Sequence, residues 1–291
     1  GVASEQRLDG QRRGERRPSE DRRATPGAAG ELTDDAAALL RAVNWVRAIQ
    51  ARADRDAQEL GLVIEDFIAG REYALEGMLD GGTLTTLALF DKPDPLDGPF
   101  FEETLYVAPS RLPDEMQRHI RRDVARLCRV AGLTDGPVHA ELRVNEQGVW
   151  LLEVAARSIG GLCGRVLTHV LGMRLEEQIL RQALGEPVAV VRSDGAAGVM
   201  MIPIPRRGIY HRLGGLAAAQ SVAGISDIAI TVQPGHLVAP PPDGASYLGF
   251  IFSRAARPAD AERALRTAHR LLHFDIRPEY PATVAPAPIP S

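Results

Sequence analysis

Residues 138–161 read VHAELRVNEQGVWLLEVAARSIGG, and this stretch decides the fold. Apolar and polar residues alternate on both sides of a short polar segment, which is typical of two antiparallel strands joined by a hairpin turn. The turn ends in Gly148, which suits a three-residue loop with this glycine in the left-handed conformation. Such a loop pairs Asn145 with Val149 and sets the register of both strands.

Counting back from that turn places Glu141 directly opposite Glu153, with Cβ atoms about 4.5–5.5 Å apart. Like charges so placed repel, unless they share a proton or hold a cation between them. With no His or Cys cluster nearby, carboxylate oxygens favour Mg²⁺ or Mn²⁺ over zinc. Arg157, just before a Gly-Gly pair, is typical of a clamp for phosphate or carboxylate.

Two alternatives remain open for this hairpin. The glutamates fit the pattern of ordinary exposed strand residues equally well. A two- or four-residue loop would also put Glu141 and Glu153 on opposite faces of the sheet. His139 shares a face with Glu141, and we interpret it as an ordinary strand histidine rather than one that orients the carboxylate.

The composition is that of an ordinary folded protein, with 291 residues, 45% hydrophobic residues, 25% charged residues and a formal net charge of −4. The length allows one large domain or two modest ones. The charge gives no general basic field, so we expect no nucleic-acid partner. No apolar run reaches about 18 residues, so we expect no membrane partner. Cys128 and Cys163 lack metal-type spacing, and without a visible signal peptide we expect a cytoplasmic location.

The beginning of the chain differs from the rest. Its first 30 residues hold seven arginines and five acids, which leaves too little apolar surface to offset the entropy of ordering. The interleaved acids favour a solvated tail over a nucleic-acid arm. The predicted parts are a disordered Arg-rich segment (1–32), a first domain (33–190), a small α+β domain (191–278) and a Pro-rich tail (279–291).

Periodicity predicts further elements along the chain. Thr33 is a candidate N-cap for a helix, and Asp80 with two following glycines predicts a tight hairpin turn. The remaining predictions are strands at 61–70, 71–79, 83–90 and 100–109, a helix at 113–132, strands at 198–205, 227–232 and 246–252, and helices at 167–185, 214–222 and 258–273.

Together these residues resemble the ATP-grasp superfamily. The stretch 138–161 resembles its metal-binding hairpin, and VIEDFIAGREYALEG (63–77) resembles the hinge strand that holds adenine. DKPDPLDGPFFEETLYVAPSRL (91–112) and the C-terminal stretches GVMMIPIPRRG and ASYLGFIFSRA resemble the carboxylate–amine ligase branch that includes the L-amino-acid ligases. Biotin carboxylase is a more distant resemblance.

The resemblance implies a role for each matching residue. Glu141 and Glu153 would bind the divalent cations, Mg²⁺ or Mn²⁺, that bridge the phosphates of ATP. Arg157 would steady the transferred phosphoryl group or an acyl-phosphate. Glu72 would contact the ribose hydroxyls, and Lys92 is a candidate for binding the substrate carboxylate or phosphate, with a surface lysine as the alternative. The residues implied to hold adenine, mostly by backbone hydrogen bonds, are Glu65, Asp66, Phe67 and Ile68.

The implied fold is α+β: the C-terminal lobe of an ATP-grasp fold, with an antiparallel sheet and helices, followed by a small α+β domain. The implied reaction converts a carboxylate to an acyl-phosphate with ATP, after which an amine attacks to give an amide, ADP and phosphate. Small carboxylate and amine substrates, amino acids in this branch, are the expected partners. A homodimer is the default expectation for assembly.

Two departures from the family pattern modify these expectations. Many ATP-grasp enzymes have Glu-x-Asn-x-Arg on the second metal strand, whereas Ala155 stands at the asparagine position and offers no ligand. No lysine or Gly-rich phosphate loop precedes Lys92, so we expect an incomplete chain that lacks the N-terminal lobe. The alternatives are a non-catalytic ATP-grasp remnant that acts as a binding module, and a biotin-carboxylase-like enzyme, which the missing asparagine disfavours.

Overall fold

A computed structural model of the chain describes residues 35–51, 61–95, 102–188, 190, 194–241, 243–244 and 247–279. The predicted disordered segment 1–32 and nearly all of the predicted tail lie outside the described residues. Among those that are described, no helix has the length and apolar character needed to cross a membrane.

The described residues form six helices and eleven strands. The helices are α1 (Ala36–Gln50), α2 (Asp114–Val130), α3 (Gly164–Leu171), α4 (Leu175–Ala183), α5 (Leu216–Gln220) and α6 (Pro258–Leu271). The strands are β1 (Arg71–Asp80), β2 (Thr83–Lys92), β3 (Leu105–Ala108), β4 (Gly136–Asn145), β5 (Gly148–Ala155), β6 (Ala196–Ile202), β7 (Gly208–Gly214), β8 (Ile225–Ile230), β9 (Leu237–Val238), β10 (Gly249–Ala255) and β11 (His273–Arg277).

An eight-stranded sheet in the order β5-β4-β1-β2-β3-β6-β10-β8 forms the centre of the structure. Its paired strands are antiparallel, and a smaller sheet has the order β11-β7-β9. The predicted α+β class, an antiparallel sheet with helices, is confirmed. Strand β3, from the first predicted domain, pairs with β6, from the second, so both predicted domains contribute to the large sheet. The division into domains after residue 190 stays a prediction.

The β1–β2 hairpin confirms the predicted tight turn. Asp80 pairs with Thr83, so Gly81 and Gly82 alone form the loop. Their φ angles are 52° and 79°, and a two-residue loop with positive φ at both positions matches the right-handed twist of the flanking strands. The turn sets the register of β1 against β2 as far as Gly77, and a register shift between Gly77 and Glu76 then brings Glu72 opposite Lys92.

Strand β1 contributes to two cores because successive side chains point to opposite faces of a sheet. Tyr73 and Leu75 pack towards α2, where Ile120 and Val124 are fully buried. Ala74, between them on the chain, faces the other side and belongs to the core that includes α3. Because helices cover both faces, a charged residue on either face of β1 is enclosed.

The predicted strand at 61–70 is wrong. Residues 61–69 form neither helix nor strand, and β1 begins only at Arg71. Val63 and Ile64 are 81% and 65% exposed, so the apolar run that suggested a strand has no core to face.

The N-cap of α1 is Asp35, whose Oδ1 accepts the N–H of Ala38 at 2.6 Å. The candidate Thr33 lies outside the described residues.

The turn of the β4–β5 hairpin also differs from the prediction. Asn145 pairs with Gly148 rather than Val149, so the loop has two residues and not three. The side chain of Asn145 accounts for this, because its Oδ1 accepts the N–H of Gln147 at 2.9 Å and closes the turn locally.

A β-bulge compensates for the shorter turn. Leu142 pairs with Leu151, and the next pair is Glu141 with Glu153, which leaves Leu152 as the extra residue on β5. A bulge of this kind places two residues opposite one and shifts the phase of the strand by one position. The predicted pairing of the two glutamates therefore holds, although the predicted loop does not.

Candidate active site

Charged side chains from neighbouring strands converge on the face of the large sheet that is turned away from α2. Tyr73 and Leu75 face α2, so the intervening and flanking positions of β1 face the other way. The strand register aligns these positions with polar residues of β2 and β4. The charged residues that meet there are Glu72, Glu76, Lys92, His139, Glu141 and Arg143.

Lys92 stands at the centre of this group. Its ammonium group forms a short hydrogen bond to Glu72, and it lies 2.6 Å from Glu103 Oε1 and 3.3 Å from Glu141 Oε1. The side chain is only 3% exposed. An ammonium has three N–H donors, and three carboxylates surround this one. The structure thus gives the single lysine of the chain a buried position, not that of a surface lysine.

Three carboxylates around Lys92 form a potential cation site. Glu72, Glu103 and Glu141 each offer an oxygen, and these oxygens lie within 4.8 Å of one another. Glu153 is not a member of this cluster among the described residues. Glu103 was not predicted from the sequence as a site residue, because it precedes β3 and reaches the cluster only through the pairing of β3 with β2.

The electrostatics of the cluster keep its central groups charged. Burial penalises the ammonium of Lys92, but the charges of Glu103, Glu141 and Glu72 outweigh burial and raise its pKa. Burial likewise opposes ionisation of Glu141, but the hydrogen bond from His139 and the charge of Lys92 hold its pKa well below the usual range. Burial raises the pKa of Glu103, against the opposing effect of Lys92.

His139 bridges two carboxylates, which differs from the ordinary strand histidine that the sequence suggested. Its Nδ1 forms a short hydrogen bond to Glu76, and its Nε2 lies 3.4 Å from Glu141 Oε1. Burial works against the charged ring, but the hydrogen bonds and charges of Glu141 and Glu76 outweigh it and raise the pKa of His139 to about 9. The imidazole therefore acts as a cation between two acids.

Glu153 and Arg157 lie at the solvent-facing edge of the buried group. Their side chains are 53% and 57% exposed, and Arg157 Nη2 is 3.8 Å from Glu153 Oε1. Arg157 also donates from Nη1 to the carbonyl of Ser158 at 3.1 Å. These contacts leave most of both side chains available to a ligand that approaches the hairpin from solvent.

A Gly-rich loop connects Arg157 to α3. The N–H of Ile159 donates to Glu76 Oε2 at 3.1 Å, which anchors the loop to β1. Gly161 and Leu162 follow with φ angles of 60° and 58°. Cys163 is buried next, and burial raises the pKa of its thiol well above the ordinary value, which fits a small packed residue and not a nucleophile.

The predicted adenine hinge lies beside the end of β4. Arg143 donates from Nη1 to the carbonyl of Ile68 at 2.6 Å, and its guanidinium lies 4.6 Å from the centre of the Phe67 ring. Glu65 and Asp66 are exposed. Arg143 was not predicted from the sequence as a site residue, although it is the side chain that joins the hinge to the sheet.

Glu72 lies deeper than its predicted contact with ribose suggested. It is 7% exposed, and its two oxygens accept from Lys92 and from Arg143 Nε, the latter at 3.1 Å. One signal in the sequence could have identified the buried members of the site, Glu76 and Arg143 among them. This signal is a charged residue on a strand whose other residues are apolar on both faces.

The donor set of the site fits a hard divalent cation. The candidate ligands, Glu141 and Glu153, supply carboxylate oxygens, which is the chemistry that Mg²⁺ and Mn²⁺ prefer. Glu141 is already ionised, because His139 and Lys92 stabilise its charge. Ala155 contributes no side-chain ligand, so such a cation would complete its coordination shell with water or phosphate oxygens.

Comparison with known proteins first identifies the class. Residues 32–166 match the family model of the ATP-grasp domain. The structure of phosphoribosylglycinamide synthetase from Anaerococcus prevotii is similar, with a TM-score of 0.61 at 14% identity, over 73% of this chain and 55% of that one. At this identity the likeness concerns the fold, and the fold is that of an ATP-grasp domain.

The C-terminal part of the chain matches a second family model. Residues 200–277 match the L-amino acid ligase C-terminal domain 2. The structure of L-amino acid ligase from Bacillus licheniformis is similar with a TM-score of 0.77 at 28% identity, over 85% of this chain and 62% of that one. Residues 32–166 therefore match an ATP-grasp domain, and the chain as a whole is similar to an L-amino acid ligase.

A curated relative is also similar to this chain over most of its length. The protein called "Uncharacterized protein y4rH" of Sinorhizobium fredii is 23% identical over 218 residues, which are 75% of this chain and 45% of that protein. The chain thus spans less than two thirds of the length of the relatives that it matches.

Proposed function

We propose that the protein is an ATP- and Mg²⁺-dependent ligase that joins a carboxylate to an amine through an acyl-phosphate, with amino acids as the substrate class. The observation that carries this proposal is the pairing of Glu141 with Glu153 across β4 and β5, next to a cluster that keeps Glu141 ionised. The similarity to an L-amino acid ligase over 85% of the chain supports the substrate class.

In this proposal Glu141 and Glu153 hold the divalent cation. When bound, the cation neutralises charge on the phosphates of ATP and orients the terminal phosphoryl group for transfer. Glu141 is the fixed partner, because His139 and Lys92 hold its carboxylate from inside the sheet. Glu153 is the adaptable partner, since its side chain is half-exposed and can turn towards an incoming nucleotide.

Arg157 meets the charge that develops on the phosphoryl oxygens and on the acyl-phosphate. Its guanidinium is exposed at the end of the metal-binding hairpin, where a phosphate and a carboxylate can reach it. In this proposal Lys92 has a role other than the binding of the substrate carboxylate or phosphate that the resemblance implied. Because its three donors are directed at carboxylates, it stabilises Glu141 and Glu103 and so acts through them.

The segment that contains Glu65, Asp66, Phe67 and Ile68 holds adenine in this proposal. Backbone groups of the segment are positioned by Arg143, which hydrogen-bonds the carbonyl of Ile68 and packs on Phe67. The predicted contact of Glu72 with ribose stays a prediction, because both oxygens of Glu72 are hydrogen-bonded inside the sheet.

The decisive experiment traps the acyl-phosphate. The purified chain is incubated with ATP, MgCl₂, an amino-acid mixture and hydroxylamine, and both hydroxamate and ADP are measured. We expect ADP release that requires Mg²⁺ and an amino acid, and that falls roughly a hundredfold or more in Glu153→Gln, since a metal ligand is lost. The matched control Glu146→Gln, at the exposed turn of the same hairpin, should leave the rate unchanged.

Other results would contradict the ligase. ADP release that is equal in Glu153→Gln and in the unsubstituted protein would contradict the role of the hairpin. Binding of ADP without hydroxamate under any amino-acid mixture would favour the binding module. Release that depends on bicarbonate instead of amino acids would favour the biotin-carboxylase-like enzyme.

A further inference from the structure

Two buried charged residues lie behind the site and contact neither the cation nor a substrate in the chemistry proposed above. Glu76 is fully buried on β1, and His139 is 4% exposed on β4. The two face each other in the strand register. Burying ionisable groups is costly unless they are paired and hydrogen-bonded, so a pair in the middle of a sheet calls for a reason beyond packing.

The contacts of this pair run from the Gly-rich loop to the proposed metal ligand. One oxygen of Glu76 accepts the N–H of Ile159 at 3.1 Å, and the other oxygen binds His139 Nδ1. His139 Nε2 then lies 3.4 Å from Glu141 Oε1. Every polar atom of the Glu76–His139 pair is therefore directed either at the loop, at its partner or at Glu141.

The loop needs such an anchor because its other determinants are weak. Among the described residues, the polar contacts of Arg157, two residues before Ile159, are exposed ones to Glu153 and to the adjacent Ser158 carbonyl. Glycines in the following positions allow the backbone many conformations. The bond from Ile159 to Glu76, together with partial burial of the Ile159 side chain against the core, sets where Arg157 emerges.

We propose that Glu76 and His139 form a positioning pair that fixes the loop carrying Arg157 relative to the metal ligand Glu141. The inference deepens the proposed function and rests on it for the roles of Arg157 and Glu141. Placing a phosphate-binding guanidinium and a metal ligand within a fraction of an ångström is what phosphoryl transfer requires, and residues behind the ligands supply that precision.

The test separates positioning from simple support of the fold. The double variant Glu76→Met/His139→Phe replaces both members by apolar residues of similar size, a change that is often neutral or stabilising for a buried ion pair. We expect the free energy of unfolding in urea to stay near that of the unsubstituted protein. Amide hydrogen exchange in residues 156–163 should nevertheless become faster, because Ile159 has lost its acceptor.

Calorimetric binding of Mn²⁺ in the presence of ADP gives the second measurement. In the double variant we expect affinity to fall roughly tenfold or more, the usual effect of removing a residue that orients a metal ligand. Glu76→Gln, which retains an acceptor oxygen, should recover part of the loop protection. Asp91→Asn is the matched control. Asp91 is a buried carboxylate that pairs with Tyr73 in the strand register and accepts a hydrogen bond from Ser110 Oγ at 2.6 Å. Its substitution should change neither the amide exchange of the loop nor the affinity for Mn²⁺.

The outcomes distinguish this inference from the ligase itself. Unchanged loop exchange and unchanged Mn²⁺ affinity in a folded double variant would overturn the positioning pair. Changes of equal size in the control Asp91→Asn would also overturn it. A protein that binds Mn²⁺ with ADP and responds to the double variant, but yields no hydroxamate, would contradict the ligase and support the pair.

Discussion

The ammonium group of Lys92 is the positive charge around which Glu72, Glu103 and Glu141 are arranged. Their oxygens lie within 4.8 Å of one another, and at an effective dielectric constant of about 20 two such charges repel by roughly 3 kcal/mol. Without a cation, three ionised carboxylates could not occupy this space. A lysine at the end of β2 therefore decides whether the carboxylates of β1, β4 and the segment before β3 can meet.

Replacing Lys92 by methionine should remove the cation that all three carboxylates share, although Arg143 still contacts Glu72 and His139 still contacts Glu141. Removal of one partner from a buried ionic group costs about 3–5 kcal/mol, and we expect the free energy of unfolding in urea to fall by that amount. Added MgCl₂ should recover more stability in this variant than in the unsubstituted protein, because a dication can replace the ammonium. The control Arg181→Met removes exposed ion pairs to Glu177 and Glu186 and should cost less than about 1 kcal/mol. An equal loss in both variants would contradict the central role of Lys92.

The two cysteines provide a prediction about pH. Cys128 and Cys163 are buried, and burial raises the pKa of both thiols. A raised pKa lowers the thiolate fraction at any given pH, and the thiolate is the reactive form. We expect neither cysteine to react with a disulfide reagent at pH 8 in the native protein, and both to react once urea unfolds it. Rapid native labelling of Cys163 would show that the Gly-rich loop opens to solvent.

Among the elements, those specified by local chemistry could be predicted from the sequence. The Asp80 turn and the amphipathic helix α2 needed only turn residues and periodicity. The facing of Glu141 and Glu153 was predicted from a loop one residue too long, and it holds because a bulge offsets that error. The bulge at Leu152 could not be predicted, because it depends on how β5 sits against β4 and not on its own pattern. Glu103 was missed for a similar reason, since strand pairing over a long loop brings it to Lys92.

The hinge segment shows how an element without regular structure is held in place. Arg143 makes three contacts at once: to Glu72 from Nε, to the carbonyl of Ile68 from Nη1 and to the ring of Phe67. A planar guanidinium can make these together, whereas the ammonium of a lysine cannot. The position of the predicted adenine-binding backbone thus depends on side chains of β4, and Arg143 makes more of these contacts than Asn145 does.

Arg143→Lys should release the hinge while keeping the charge. We expect faster amide exchange in residues 65–70 and an ADP affinity lower by roughly tenfold, the equivalent of one lost hydrogen bond to a charged group. Arg71→Lys, at an exposed position next to the same segment, is the matched control and should bind ADP normally. Normal exchange in Arg143→Lys would mean that Asn145, which donates to the carbonyl of Ala69 at 2.7 Å, suffices to hold the segment.

At the scale of the whole molecule, one sheet connects the site to the C-terminal part. Strand β3 pairs with β6, and ion pairs reinforce the connection: Arg111 lies 2.8 Å from Glu262, and Arg266 lies 2.5 Å from Asp94. Both pairs join α6 to segments that flank the carboxylate cluster. The part that resembles the L-amino acid ligase C-terminal domain therefore stabilises the loop from which Glu103 reaches the site.

This continuity predicts that the two parts unfold together. In β6, a Cβ added at Gly198 would come within 2.8 Å of Leu265 Cδ1 on α6 and 3.1 Å of the Tyr106 carbonyl on β3, so Gly198→Val forces strain of about 1–3 kcal/mol into the junction. The only two tryptophans, Trp45 and Trp150, lie in the first part, so their fluorescence reports on that part alone.

If the sheet is one cooperative unit, the thermal midpoint measured by tryptophan fluorescence should fall in Gly198→Val by as much as the midpoint measured by circular dichroism. In Gly195→Ala the added methyl group meets nothing closer than the Ala255 carbonyl at 3.5 Å, and both midpoints should stay in place. Separate units would behave differently. The circular dichroism transition of Gly198→Val would then split, and the fluorescence midpoint would remain where it is in the unsubstituted protein.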